Sequence, residues 1–380
     1  MRLFIIASVF LLVMAAANYY VYRRFFRRLA PALARYMAAI PAALMAGEIL
    51  FVLDAALRLF PDAPLLYTIS ATFVGCTFIL LVVAILYDLI VTVSRRVPLT
   101  APARDYLKVG FDVMALAVSV AYVTGGLVGA FSRPGIHDVD VAIKGFPFQR
   151  YTIVQLSDLH VGPLIGRAFV ADLVDRTNAL HPDLVVITGD LADESVDRAA
   201  HALEPLRGLQ APAYFVTGNH DYFHGPERLV QYVRSIGITP LLNRSVWVGT
   251  AARGFYLVGI NDLSGERAGV LGPDIKRAYA GIDPSRPVIV LAHQPRTLPL
   301  LQDRRCDLMI SGHTHGGQIF PFGLLVMIGQ PYLAGLHRNG QGQQIFVSRG
   351  TGFWGPPLRV LAPGEVTRLI LTPQKGVGDN

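Results

Sequence analysis

A short apolar run that stops at a glycine and a carboxylate marks the second half of this chain. The run extends from Leu184 to Ile187 and lies between Pro182 and the pair Gly189-Asp190. Four consecutive apolar residues with such boundaries are typical of a strand that is buried on both faces in a parallel sheet. Ligands bind beyond the carboxyl ends of strands in sheets of this class. The sequence therefore predicts that Asp190 faces a site.

Four further apolar runs end in the same kind of residue. Carboxylate, imidazole and amide groups without thiolate suit divalent ions of intermediate hardness, such as Mn, Fe, Co or Zn. The two cysteines, Cys76 and Cys306, fall in different halves of the chain and provide no thiolate motif. The runs and their polar residues are 151–156 with Asp158-Leu159-His160, 213–217 with Asn219-His220-Asp221, 287–292 with His293, and 307–311 with His313-Thr314-His315.

The segments between these runs predict a layered α/β fold. The segment with Val170, Leu173 and Val174 has apolar residues at helical spacing and lies between two of the strands. Strands that alternate with amphipathic helices are typical of such folds. After residue 246 the helices become rarer, and further strand-like runs predict a second sheet. These runs are 255–258, 345–347 and 366–371.

The first third of the chain contains four long apolar segments. They lie at about 3–22, 36–57, 65–93 and 109–131, and each can cross roughly 30 Å of hydrocarbon at about 1.5 Å per residue. These lengths disfavour the alternative, buried helices of a soluble domain. The sequence thus predicts a transmembrane domain of four helices over 1–134 and a second domain over 135–380.

The first apolar segment also resembles a signal peptide, because Arg2 precedes an apolar core and three consecutive alanines. Cleavage would export the arginine-rich loop that follows, although short loops of this kind tend to remain in the cytoplasm. An uncleaved span is therefore favoured. The loop arginines are Arg23, Arg24, Arg27, Arg28 and Arg35.

Charge is distributed unevenly along the chain. Residues 1–134 hold 12 Lys and Arg against 6 Asp and Glu, whereas residues 135–380 hold 22 against 21, within a net charge of +7. Because the excess lies beside the apolar segments, it indicates membrane orientation, and no nucleic-acid partner is predicted.

The loops between the spans predict the orientation of an integral protein of the inner or plasma membrane. The loop between spans three and four is basic, whereas the loop between spans two and three has Arg58 against Asp62. Cytoplasmic basic loops would place the second domain on the outer side, periplasmic or extracellular. Arg133 and Lys144 follow the last span and weaken this asymmetry. The basic loop carries Arg95, Arg96, Arg104 and Lys108.

Two features allow alternative interpretations. Glu48 lies near the middle of the second span, where an ionisable group is either a functional site or a hydrogen-bonded contact between helices. The apolar stretch 319–328 follows the last histidine block. It is either core beneath a long loop or a hydrophobic rim that touches the bilayer or an acyl chain.

Taken together, the five blocks resemble the calcineurin-like metallophosphoesterase family, whose signature blocks occur in the same order. The resemblance covers about residues 150–372 and implies two packed sheets flanked by helices, with two divalent metal ions at the strand ends. Such an ion pair needs a shared anionic ligand. The resemblance implies Asp158, His160 and His315 for one ion, Asn219, His293 and His313 for the other, and Asp190 as the bridge.

The same resemblance implies that His220 is not a metal ligand. It would contact the phosphate or protonate the leaving oxygen, and Asp221 would orient its imidazole ring. Asp193 and Glu194 are interpreted as a solvated helix start in preference to outer acids of the site.

The predicted function is membrane-anchored hydrolysis of a phosphoester, in which a metal-bound hydroxide attacks phosphorus. The enzyme would be a phosphodiesterase, pyrophosphatase or phosphatase. Family members that act on membrane lipids include UDP-2,3-diacylglucosamine pyrophosphatases, so the expected substrate is a phospholipid, a nucleotide-linked lipid or another phosphorylated small molecule.

The expected partner is the lipid bilayer, and no obligate protein partner is evident. The alternatives are a non-catalytic membrane scaffold or receptor for a phosphorylated ligand, and a transporter regulated by the second domain.

Overall fold

The computed structural model describes residues 2–29, 31–57, 63–94, 96 and 100–374. These residues form two compact units. The first contains the residues up to Phe131 together with Trp354–Val360, and the second contains Ser132–Phe353 and the residues from Leu361 onward. The predicted boundary between a membrane domain and a second domain, after residue 134, stays a prediction.

The first unit is helical. Three of its helical stretches are long and apolar enough to cross a membrane, namely Pro31–Leu57, Pro64–Ser94 and Tyr106–Phe131. Helix α1 covers the first predicted span but is not among these three, so the count of four spans is not confirmed. The helices are α1 (Arg2–Val21), a π-helix (Tyr22–Phe26), α2 (Arg27–Leu29), a 3-10 helix (Pro31–Leu33), α3 (Ala34–Met37), α4 (Ala39–Leu57), α5 (Pro64–Ser94) and α6 (Ala101–Phe131).

Glu48 is fully buried inside the first unit. The Asn18 amide nitrogen donates to its two carboxylate oxygens at 2.9 and 3.2 Å, and the Thr77 hydroxyl donates to the Asn18 amide oxygen at 3.3 Å. This network joins α1, α4 and α5, which is the contact between helices that the sequence allowed as one alternative. The residues that carry the orientation argument are described only in part, since Arg58, Asp62 and Arg95 lie outside the described residues.

The second unit contains two mixed six-stranded sheets, which confirms the predicted α/β domain with two sheets. The strand orders are β1-β12-β2-β3-β4-β5 and β10-β11-β9-β8-β7-β6. The strands are β1 (Gly135–Ile143), β2 (Tyr151–Leu156), β3 (Leu184–Thr188), β4 (Ala213–Val216), β5 (Thr239–Pro240), β6 (Arg244–Gly249), β7 (Gly254–Gly259), β8 (Val288–Leu291), β9 (Leu308–Ser311), β10 (Gly335–Arg338), β11 (Gln344–Val347) and β12 (Glu365–Pro373).

Helices flank these sheets. The α-helices are α7 (Arg167–Ala179), α8 (Val196–Leu203), α9 (Pro226–Ser235), α10 (Ser264–Ala268), α11 (Ile275–Ala278) and α12 (Gly323–Gly329). The 3-10 helices are Glu204–Gly208, His220–Tyr222, Pro295–Leu301 and His315–Gly317.

The main core lies between the two sheets. Ile153 and Val186 from one sheet and Ile289 and Phe346 from the other are fully buried in it. On the opposite face of the second sheet, residues such as Val290 pack in a separate cluster. Burial of both faces explains why these strands read as continuous apolar runs, since each fully buried aliphatic side chain contributes about 1.5–3 kcal/mol.

The strands that precede the five polar blocks end at one edge of this sandwich. β2, β3 and β4 are parallel in the first sheet, and β8 and β9 are parallel in the second. The Gln155 amide donates to the Ser311 carbonyl oxygen at 2.8 Å, which joins the end of β2 to the end of β9. All five blocks therefore follow strand ends at the same edge.

Candidate metal centre

The backbone of the ligand-bearing turns is unusual. Asp158, His160, Asp190, His313 and His315 all have φ between 50° and 73°, the left-handed region. Asp and His tolerate this region better than most residues, yet each such position still costs about 1 kcal/mol or more. Five neighbouring residues in this conformation turn their side chains from the strand ends toward one another.

Close approach of these turns requires glycine at two positions. A methyl group on Gly218 would lie 2.2 Å from the Asp190 backbone nitrogen, and one on Gly312 would lie 2.0 Å from the Ser157 hydroxyl oxygen. Both distances are far inside van der Waals contact. Contact between neighbouring turns therefore requires glycine at both positions.

The first group of predicted ligands comes together. One ligand atom from each of Asp158, His160 and His315 lies within 4.8 Å of the other two, and all three residues are buried. The Nε2 atoms of His160 and His315 are 3.0 Å apart, and His315 Nε2 is 3.3 Å from Asp158 Oδ1. The Ser157 hydroxyl donates to Asp158 Oδ2 at 2.5 Å and orients this carboxylate.

The second group also comes together. Asp190, His293 and His313 offer one ligand atom each within 4.8 Å of one another. His293 Nε2 is 3.2 Å from His313 Nδ1 and 3.1 Å from the Asn219 amide oxygen. Asn219 therefore lies where the second ion was predicted to have its amide ligand.

Asp190 lies between the two groups. Its Oδ2 atom is 3.2 Å from His293 Nε2 in the second group and 3.7 Å from His160 Nε2 in the first. Its Oδ1 atom accepts the backbone N–H of His220 at 2.8 Å. This location fits the predicted bridge, while the assignment of each ligand stays a prediction.

Proton positions show that the second group fits a cation. His293 Nδ1 lies 2.7 Å from the Thr188 carbonyl oxygen, which can only accept, so Nδ1 carries the proton. Nε2 faces the Asp190 carboxylate and the Asn219 amide oxygen. When Nε2 offers its lone pair, these groups repel one another in a buried site unless a cation lies between them, so either a proton on Nε2 or a metal ion is required here. A divalent ion with nitrogen and oxygen ligands satisfies this arrangement.

Burial and neighbouring charged groups shift the pKa values of the predicted ligands. Burial raises the pKa of Asp190, but His293, His220 and His160 together hold that pKa well below its usual range. Burial lowers the pKa of His293, yet the Asp190 carboxylate outweighs this and holds it well above the ordinary value. Burial and the charge on His293 lower the pKa of His313 to about 3. The carboxylates stay ionised as ligands.

The centre is open on one side. Asp158, His160, Asp190, His293 and His315 are no more than 3 % exposed. By contrast, Asn219, His220 and His313 are half-buried. The ring of Phe223, which is 63 % exposed, lies 4.8 Å from the ring of His220, centroid to centroid. A substrate can therefore reach the centre beside His220.

The carboxylate that orients His220 is Asp193. Asp193 Oδ1 accepts from Nδ1 of His160 at 2.7 Å and from Nδ1 of His220 at 2.8 Å. The interpretation of Asp193 as part of a solvated helix start is therefore wrong: α8 begins only at Val196, and this side chain turns toward the two histidines. Burial lowers the pKa of His220, but Asp190 and Asp193 raise it to about 9.

Asp221 has a different role from the predicted one. Its carboxylate accepts the backbone N–H groups of Gly218 at 2.7 Å, Leu191 at 2.8 Å and Asp190 at 3.1 Å. It therefore joins the turns after β3 and β4, and it does not hold the His220 ring. Burial and the Asp190 charge raise the pKa of Asp221 to about 7.

Asp193→Asn is expected to lower the metal affinity of the His160 group about 10–100-fold, the usual effect of losing a carboxylate behind a ligating histidine. The physical reason is that a neutral amide no longer holds the protonated Nδ1 atoms of two rings. Metal titration against a competing chelator measures the effect. Glu194→Gln is the matched control, because Glu194 pairs with Arg198 on the helix side. Equal affinity in both variants would contradict this role for Asp193.

Comparison with known proteins finds similar metallophosphoesterases. The family model of calcineurin-like phosphoesterases matches residues 151–317. A metallophosphoesterase of Campylobacter jejuni is 30% identical over 379 residues, which cover 98% of this chain and 99% of that protein. A metallophosphoesterase of Helicobacter pylori is 38% identical over 284 residues, which cover 74% of this chain and 73% of the relative.

The similarity includes a relative named for its membrane segments. A transmembrane protein with metallophosphoesterase domain from Danio rerio is 37% identical over 272 residues, which cover 68% of this chain and 62% of that protein.

Proposed function

We propose, since this chain belongs to the calcineurin-like metallophosphoesterase family, that it is a membrane-anchored hydrolase with two divalent metal ions in its site. Hydrolysis of phosphoester bonds is the activity of the family. The observation that carries the dinuclear proposal is the position of Asp190 between two groups of ligands. The three helices that can cross a membrane carry the proposal of an anchor.

The residues divide into two ligand sets. Asp158, His160 and His315 would hold one ion, Asn219, His293 and His313 the other, and Asp190 both. When bound, such an ion pair makes phosphorus more electrophilic and a nearby water more acidic. We expect Mn, Fe, Zn or Co, because the set combines imidazole with carboxylate and amide oxygen.

His220 supplies the acid of the proposed reaction. Asp193 holds the ring through Nδ1, on the open side of the centre. A protonated imidazole there stabilises negative charge on the phosphoryl group or donates a proton to the leaving oxygen. Asp221 keeps the turns after β3 and β4 together, and so fixes Asp190 and Asn219 in relation to His220.

The proposed substrate is a phosphorylated molecule at the membrane surface, a phospholipid or a nucleotide-linked lipid. An anchored site meets lipids at high local concentration, which supports this class. The alternative is a membrane scaffold that binds a phosphorylated ligand without turnover.

The test is hydrolysis of a water-soluble chromogenic phosphodiester by the full chain in detergent. Activity is expected to require a divalent metal, to disappear on chelation and to return on addition of Mn. The metal content of the same sample is measured in parallel. Bound metal without turnover under any divalent ion would favour the scaffold.

We also propose that the second unit lies on the outer side of the membrane, from the charge of the loops between spans. A fluorescent protein that matures only in the cytoplasm, fused after Asn380, is expected to stay dark. A fluorescent fusion would reverse this orientation.

A further inference from the structure

The stretch that follows the last histidine block is exposed, so the interpretation as core beneath a loop is wrong for most of it. Ile319 and Gly323 are buried, but five large apolar side chains are not. We call these five residues the apolar face. They are Phe320 (53 % exposed), Leu324 (65 %), Leu325 (56 %), Met327 (53 %) and Ile328 (82 %).

Four residues of the apolar face share one side of α12. Leu324 lies three and four residues before Met327 and Ile328, and Leu325 lies three residues before Ile328, which are the spacings of neighbours on a helix surface. No Asp, Glu, Lys or Arg occurs between Asp307 and Arg338. A contiguous apolar surface without charge is typical of a contact site, whereas single exposed apolar residues are ordinary.

Both ends of α12 are attached to the metal centre. At its start, a methyl group on Gly317, two residues after His315, would lie 2.5 Å from the Cα atom of Gly323. At its end, the Gln330 side chain accepts the backbone N–H of Arg296 at 3.1 Å and donates to the Gln294 side chain at 3.4 Å, next to His293. The apolar face is thus fixed relative to two of the predicted ligands.

The chain that follows α6 enters the second unit at the same edge. Three residues separate Phe131, the end of α6, from Gly135, where β1 begins opposite Glu365. In the next strand pair, Thr367 lies opposite Gln155, near the end of β2. The edge that carries the metal centre and α12 is therefore the edge that the chain reaches from its last apolar helix.

A basic residue lies beside the end of α12. Arg296, bound through its backbone to that end, is exposed. Its side chain forms no ion pair with a carboxylate among the described ranges. An apolar helix face next to a cation matches the interface of a bilayer, where apolar groups enter the acyl region and cations meet anionic headgroups.

We propose that the apolar face docks on the lipid bilayer beside the metal centre. The occupant is the bilayer because the same chain carries helices that are long and apolar enough to cross a membrane, and three residues separate the last of them, α6, from this edge. The docked face would hold the opening of the centre at headgroup depth. This inference depends on membrane insertion of the helices and does not depend on turnover of a lipid.

The test measures depth in the full chain, inserted in nanodiscs of phosphatidylcholine and phosphatidylglycerol. Ile328→Cys is labelled with an environment-sensitive fluorophore. Gln341→Cys is the control, since Gln341 is exposed and precedes β11 at the opposite edge. The unsubstituted chain, with Cys76 inside α5 and Cys306 buried, gives the labelling background.

The label at position 328 is expected to emit at shorter wavelength and to be quenched by lipids with a nitroxide near the headgroup. The label at position 341 is expected to show neither effect. Unquenched emission at both positions would overturn the proposal. A wavelength shift at position 328 without lipid quenching would also overturn it, in favour of a second copy of the chain on this face.

The outcome is independent of the proposed enzyme activity, because fluorescence needs no substrate. A second variant then connects the face to catalysis. Ile328→Asp is expected to reduce hydrolysis of a phosphodiester lipid in vesicles and to leave hydrolysis of the soluble chromogenic diester unchanged. An equal rate on vesicles would mean that the face does not serve substrate access.

Discussion

Asp190→Asn is expected to abolish turnover, with a loss of at least about 10³-fold, the upper range for one preorganised electrostatic contact. The variant is also expected to bind fewer than two metal ions. The reason is position: Asp190 Oδ2 faces His293 of one group at 3.2 Å and His160 of the other at 3.7 Å. A neutral amide cannot screen two cations from each other.

The substitution conserves shape, so a loss of folding does not explain the result. The Asn side-chain oxygen can still accept the backbone N–H of His220, as Asp190 Oδ1 does at 2.8 Å. Elemental analysis gives the metal count, and the chromogenic diester gives the rate. Asp197→Asn is the control, because Asp197 forms an exposed ion pair with Arg228. Full activity with two metals in Asp190→Asn would contradict the bridging assignment.

Much of the second unit could be predicted from local pattern. Its central strands are buried on both faces, so each is a continuous apolar run that needs no knowledge of its neighbours. Because parallel strands of one sheet end together, the residues after 156, 188 and 216 share one edge, and so do the residues after 291 and 311. Packing of the two sheets then brings these two sets of strand ends together. The comparisons confirm the family that these ordered blocks predicted.

The orienting carboxylate could not be predicted in this way. Asp193 follows a strand and precedes a helix, where a carboxylate commonly serves the helix start. Its contacts, His160 and His220, are 33 and 27 residues away in the chain. The left-handed turns at Asp158, His160 and Asp190 bring these groups together. Amino-acid composition does not reveal a backbone conformation of this kind.

The exposure of the apolar stretch 319–328 could not be predicted for a different reason. A segment in which every residue is apolar has no periodicity, so pattern cannot separate a buried from an exposed helix. The number of membrane spans is difficult to predict in a similar way. Length and hydropathy decide whether a segment counts as a candidate span, and three of the described helices meet both criteria. The sequence leaves the role of Glu48 open. In the structure, the Asn18 amide donates to Glu48 and the Thr77 hydroxyl donates to Asn18.

The role of His220 separates a metal ligand from an acid. His220→Ala is expected to retain both metal ions and to lose about 10²–10⁴-fold in kcat, the range for general acid catalysis. Its backbone N–H, which binds Asp190, survives the substitution, and its ring contacts Asp193 and belongs to neither predicted ligand set. Metal analysis and steady-state kinetics measure the two effects, with His201→Ala on the exposed side of α8 as the control.

Loss of a metal ion in His220→Ala would make the group of His160, Asp193 and His220 a ligand set in its own right. Retention of metal with loss of rate would assign the proton donor to the residue that Asp193 orients, on the open side of the centre.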